Sequence, residues 1–212
     1  MTLRLVDRSG AEISLSVGGR RELVIGVATA DDTATTLRRA VRADLLRRAA
    51  ELRRAVVTVV PAGPADSIGS ELLTAYNCRP FGERRLPDLT IDDQLVPGDG
   101  EPFDLDVDPL AMRLALLGHD DGATPAAATA ELARWRQSTA TWAESPSAPY
   151  VTDVVARCHG ALERNLDVAQ VLAVLREVAA DPLVPPGAKF ETFAHLDALL
   201  GLDLTRSVGL SR

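Results

Sequence analysis

The sequence predicts an α/β layer joined to an all-α part: a partial βαβ layer with an N-terminal hairpin, followed by a helical bundle. Three observations predict it. Residues 22–28, Glu-Leu-Val-Ile-Gly-Val-Ala, form an apolar run like a buried parallel strand, and Ala55-Val-Val-Thr-Val-Val60 is a β-branched second one. Between them Leu37, Val41, Leu45, Ala49 and Leu52 recur at helical spacing, so strand, helix and strand make one βαβ unit. Beyond residue 108 the apolar pattern is helical throughout.

The elements follow in order. Residues 3–7 and 12–17 alternate like half-buried strands around a Ser9-Gly10 turn. The helix covers about 34–54, and the second strand is expected to stop at Pro61-Ala-Gly-Pro64. Asp66 is placed to cap a helix over 67–76. Residues 79–108 are rich in Pro, Gly and Asp and read as an irregular, acidic connector between domains at 1–78 and 109–204, with a tail at 205–212. Helices are expected at Pro109–Leu117, 125–143, 151–164, 168–180 (capped by Asp167) and 187–200, the last stopped by Gly201.

Composition bounds the function. The 212 residues carry 23 basic and 30 acidic side chains, a net charge of −7, which argues against a general nucleic-acid binder. Charge is uneven: Arg38, Arg39, Arg42, Arg47, Arg48, Arg53 and Arg54 crowd one helix, whereas residues 86–108 hold eight acids and no Lys or Arg. Lys189 is the sole lysine, a bias expected of a GC-rich, actinobacterial genome. No apolar run approaches the roughly 18 residues of a membrane span, and the first residues lack a signal-peptide core, so a cytoplasmic protein without membrane contact is expected. Cys78 and Cys158 are expected to be reduced thiols.

Other chemistry finds little footing. His119-Asp120-Asp121 sits between Gly118 and Gly122 and reads as a solvated turn. Cys158 and His159 are helix neighbours pointing about 100° apart, a poor dyad. His195 reads as a packed histidine. No GxSxG, Walker loop or GxGxxG occurs.

The segments Asp44–Arg48, Asp108–Leu117, Leu132–Arg136, Asn165–Leu175 and Phe193–Asp203, taken in register, resemble parts of cysteinyl-tRNA synthetase and its relative, the cysteine ligase of mycothiol biosynthesis. Asp108-Pro-Leu-Ala-Met-Arg-Leu-Ala-Leu-Leu117 resembles the segment after the KMSKS loop, and Leu132-Ala-Arg-Trp-Arg136 the next helix. Asn165-Leu-Asp-Val-Ala-Gln-Val-Leu-Ala-Val-Leu175 and Phe193-Ala-His-Leu-Asp-Ala-Leu-Leu-Gly-Leu-Asp203 resemble later family stretches, and Asp44-Leu-Leu-Arg-Arg48 an earlier one. The resemblance implies a partial Rossmann-like layer over 1–78.

The family's catalytic parts are not matched. Where the resemblance would place the HIGH motif stand Thr33, Ala34, Thr35 and Thr36, preceded by Asp31 and Asp32, whose carboxylates would occupy the anion position themselves. Ile25 or a neighbour stands where the family has its first zinc-binding Cys, and no KMSKS lysine is present. The chain therefore reads as a truncated, degenerate paralogue without zinc or ATP, with no catalytic or metal-ligating residue. It is expected to act by binding a protein partner, either a full-length relative or a second copy; tRNA is less favoured by net charge. Arg38, Arg39, Arg42, Arg47, Arg53 and Arg54 are its candidate binding surface. Two alternatives are a reduced ATP-dependent ligase completed by a partner, and an RNA-binding module built on the arginine helix.

Overall fold

A computed structural model describes residues 2–7, 9–16, 22–63, 68–96, 106–118 and 124–210. The chain divides into two compact units, Met1–Phe103 with Glu163–Leu166, and Asp104–Leu162 with Asp167–Arg212. Together they hold a parallel sheet, an antiparallel hairpin and a set of helices, the predicted class.

In the first unit, β1 (Thr2–Val6) and β2 (Glu12–Ser16) form the predicted hairpin, with Leu3 opposite Leu15 and Leu5 opposite Ile13. Asp7 builds its turn: the carboxylate accepts from the Ser9 and Ala11 amides at 2.8 and 2.9 Å, and Gly10 takes φ 84°. The Ser9 hydroxyl, then the Ala11 amide, hold the Asp7 carboxyl below its ordinary range.

A three-stranded parallel sheet of order β4-β3-β5 forms the second layer, from β3 (Glu22–Ala28), β4 (Val56–Ala62) and β5 (Leu89–Ile91). Leu23, Ile25 and Val27 of β3 are buried, as a central parallel strand requires. The long helix α1 (Thr33–Glu51) links β3 to β4, and α2 (Ser70–Ala75) follows β4. Residues 163–166 join this unit: the Asn165 amide donates to the Arg4 carbonyl, and the Val6 amide donates to Asn165 Oδ1 at 2.8 Å.

Four details correct the sequence reading. β4 does not stop at Pro61 but runs to Ala62, because it is an edge strand and a missing N–H costs nothing on its open side. The 79–108 stretch contains β5, three residues too few to show alternation. Helix α1 ends at Glu51, so Leu52 is 43% exposed rather than on the buried face, and Arg54 turns the chain at φ 63°. Finally, α2 begins at Ser70 behind an uncapped Gly69; Asp66 lies outside the described residues, as do His119, Asp120 and Asp121.

The second unit holds α3 (Pro109–Leu117), α4 (Pro125–Trp142), α5 (Thr152–Glu163), α6 (Val168–Ala180) and α7 (Pro186–Leu200). Asp108, Thr124 and Asp167 accept amides of the following first turns, and Gly201 ends α7 at φ 66°. Trp135 and Trp142 both meet the Phe193 ring edge-on. The fully buried Arg113 donates its Nε–H to the Leu200 carbonyl at 2.7 Å, satisfying an orphan acceptor at the end of α7. Among the described residues no helix is long and apolar enough to cross a membrane.

Candidate functional site

The corner between β3 and α1 is where the candidate threonines stand. Asp32 is the N-cap of α1: its Oδ1 accepts from the Thr35 amide at 2.7 Å. That backbone bond, with the Thr35 side chain second, holds the Asp32 carboxyl below its ordinary value. Asp31 and Thr33 are exposed beside it.

Thr36 faces inward and is fully buried. Its Oγ1 accepts from the Ala30 amide at 2.9 Å and lies within 3.3 Å of the Asp32 carbonyl, so the loop closes on the helix. Arg39 reaches back to the end of β3, donating from Nη1 to the Ala28 carbonyl at 2.9 Å. A Cβ on Gly63, at φ 149°, would stand 2.3 Å from Thr29 Oγ1; only glycine admits so close an approach of the β3 and β4 ends. The Thr29 hydroxyl oxygen is itself buried with no hydrogen-bond partner among the described residues. One first-turn amide of α1, that of Thr35, is thus capped by the chain's own carboxylate, which places negative charge where an anion would otherwise sit.

The cap yields a prediction. Asp32→Ala is expected to cost about 1 kcal/mol, the usual value of an N-cap, read by urea unfolding at neutral pH. Because the folded carboxyl titrates below its ordinary 3.8, this contribution is complete above pH 3.8 and fades as pH falls through the lowered value. A gap between wild type and variant that persists unchanged well below pH 3.8 would count against the cap as its origin.

The arginine row is not a uniform surface. Arg47 lies inside, 6% exposed, with Nη2 donating to Asp44 Oδ1 at 2.7 Å and Nη1 to Glu51. Arg48 donates to Asp44 Oδ2 at 2.7 Å and to the Asn77 carbonyl. Arg42 holds the carbonyls of Asn165 and Leu166 at 2.8 and 3.1 Å, and Arg53 pairs with Glu163. Arg38 is half-buried and its charge helps lower Asp32, while Arg54 is exposed. Helical spacing alone could not separate these, because α1 buries positions around most of its circumference.

The other chemical groups stand apart. Ile25 is fully buried, paired on both sides with Val59 and Leu89. Cys78 and Cys158 are buried thiols, and burial raises the Cys158 thiol to about 11. Among the described residues no three His, Cys, Asp or Glu side chains are grouped to hold a metal ion. The His159 and His195 rings do meet, 5.8 Å apart, with Tyr150 stacked on His195 at 4.9 Å. Sequence spacing gave no sign of this cluster, since its members come from different elements.

Two curated proteins are similar to the chain. Both are L-cysteine:1D-myo-inositol 2-amino-2-deoxy-alpha-D-glucopyranoside ligases, from Mycolicibacterium smegmatis (40% identical over 109 residues) and Mycolicibacterium vanbaalenii (41% identical over 109 residues). Each match covers 46% of this chain, but only 26% and 24% of the relatives. The chain therefore spans about a quarter of the length of the curated relatives it matches. No protein-family model matches. These matches bear out the resemblance read from the motifs.

Proposed function

We propose, from the chain's similarity to these cysteine ligases over 46% of its length, that it is a non-catalytic relative acting by protein binding. The observation that supports this most is the carboxylate-capped corner at α1. Asp32 accepts the Thr35 amide, Thr36 ties down Ala30, and Arg39 ties down Ala28. An approaching triphosphate would meet the Asp31 and Asp32 carboxylates at the start of the helix, and like charges repel. On this reading neither ATP nor zinc is held.

Charge favours a protein over tRNA as the partner. The helical unit, Asp104–Leu162 with Asp167–Arg212, has 14 acidic and 8 basic residues, so it carries most of the chain's net −7. A unit of that sign opposes a phosphate backbone. In the other unit, Arg39, Arg42, Arg47, Arg48 and Arg53 are engaged with carboxylates or backbone carbonyls. An active full-length relative fits the partner role, as would a second copy of this chain.

Two measurements test the reading. Pure protein is expected to give no cysteine-dependent pyrophosphate exchange above background and no thermal shift with ATP. Exchange by the isolated chain would overturn the non-catalytic reading, and exchange only after a partner is added would favour the split-ligase alternative. Purification from the native host is expected to enrich a full-length relative without RNA. RNA binding that weakens steeply with salt would instead favour the arginine-helix alternative.

A further inference from the structure

Lys189 is the only lysine in the chain. It stands in the first turn of α7 and is 8% exposed. Its Nζ donates to the Ala179 carbonyl at 2.8 Å and lies 5.5 Å from the centroid of the Trp142 ring. Ala179 belongs to the last turn of α6, where carbonyls lack intrahelical donors and a cation is favoured. The ammonium thus caps one helix while resting against an aromatic face.

From this geometry we infer that Lys189 is a fold-gated amine: lysine-directed acyl donors modify it only when the α6–α7 corner opens. Acylation requires the ammonium to lose a proton to solvent, so that the Nζ lone pair can attack the carbonyl of a thioester or acyl phosphate. The new N–C bond forms as the C–S or C–O bond breaks, thiolate or phosphate leaves, and the nitrogen gives up a second proton to solvent to become the neutral amide. In the closed corner the nitrogen is committed to Ala179, and the buried stem and Trp142 crowd its approach. The resulting amide carries no charge and more bulk, so it restores neither the helix cap nor the cation–π contact. Folded copies are spared, whereas opened copies are marked and then hindered from closing. Acyl chemistry at this one side chain reads out whether the helical unit is intact.

The test treats the full chain with acetyl phosphate, in buffer and in denaturing urea, and maps acetyl-Lys189 by peptide mass. A short lysine peptide in each solution corrects for the reagent. Native Lys189 is expected to react at least about ten times slower than in urea, as a group reached only through local opening does. Equal corrected rates would overturn the proposal. Lys189→Gln, which imitates the neutral amide, is expected to lower Tm by about 2–4 °C, with Lys189→Arg closer to wild type. A Gln variant as stable as wild type would remove the hindered-closing step.

Discussion

Replacing Asp44 by Ala is expected to destabilise the first unit by about 3–5 kcal/mol, the range found when one partner of a buried ion pair is removed. Asp44 is 2% exposed and each of its oxygens is engaged: Oδ1 accepts from Arg47 Nε and Nη2, at 3.0 and 2.7 Å, and Oδ2 accepts from Arg48 Nε at 2.7 Å. Removing the carboxylate leaves Arg47 buried with, among the described residues, Glu51 as its one remaining carboxylate, and Glu51 is shared with Arg79. Arg48 is less affected, since it also reaches the Asn77 carbonyl and stands nearer to water. The loss would be read from the urea midpoint at constant m-value. Replacing Asp44 and Arg47 together by leucine and methionine should recover much of the stability, because an apolar pair of similar volume avoids the desolvation cost. Arg54→Ala, at an exposed site, should stay within about 0.5 kcal/mol of wild type. An Asp44→Ala loss below that of an ordinary surface change would mean the network is solvated and not a core feature.

The second large effect is expected at Gly187, in the first turn of α7. Helix propensity alone says that alanine should help, by up to about 1 kcal/mol. Packing says the reverse. A Cβ at Gly187 would stand 2.1 Å from the Pro146 carbonyl oxygen, 3.1 Å from its carbon and 3.2 Å from the Ala148 nitrogen. All three are backbone atoms of a segment fixed to α7 further along. The Ser147 hydroxyl meets Glu191, the Val151 amide donates to Thr192 Oγ1 at 3.0 Å, and Tyr150 stacks on His195. That segment cannot retreat by an ångström without breaking several of these contacts at once. Overpacking of this kind costs about 1–3 kcal/mol, and breaking the attached contacts adds to it. Gly187→Ala is therefore expected to lower Tm clearly. A rise in Tm would show that the 146–151 strap yields and that propensity wins.

Some of the architecture was legible because its causes are local. Asp167 before Val168 and Gly201 after Leu200, both read from the sequence, each bound a helix through neighbours one to three residues away, as the structure shows Asp108 and Thr124 doing too. Asp7 and Gly10 fix the hairpin in the same way. The β5 strand was not legible. Leu89–Ile91 carries no period of its own and becomes a strand only because β3 offers an unpaired edge.

The candidate site was legible in the same partial sense. The composition of Asp31–Thr36 announced a carboxylate at a helix start, and Asp32 takes that place. Nothing in the sequence said that Thr36 would turn inward to Ala30, or that Arg39 would reach back to Ala28, since those partners depend on the strand-to-helix path. Nor could spacing show that Arg47 is interior while Arg54 is exposed, or that Lys189 would find Ala179 and Trp142.

By itself, then, the sequence determined the hairpin and the bounds of α3 to α7 to within about a residue, because caps and turns are hydrogen bonds between near neighbours, whereas the end of α1 and the start of α2 were set elsewhere. The tertiary structure alone decided which charges are spent and which glycine is indispensable. Burial is set by what packs from distant parts of the chain, and a guanidinium or a missing Cβ acquires meaning only against those neighbours.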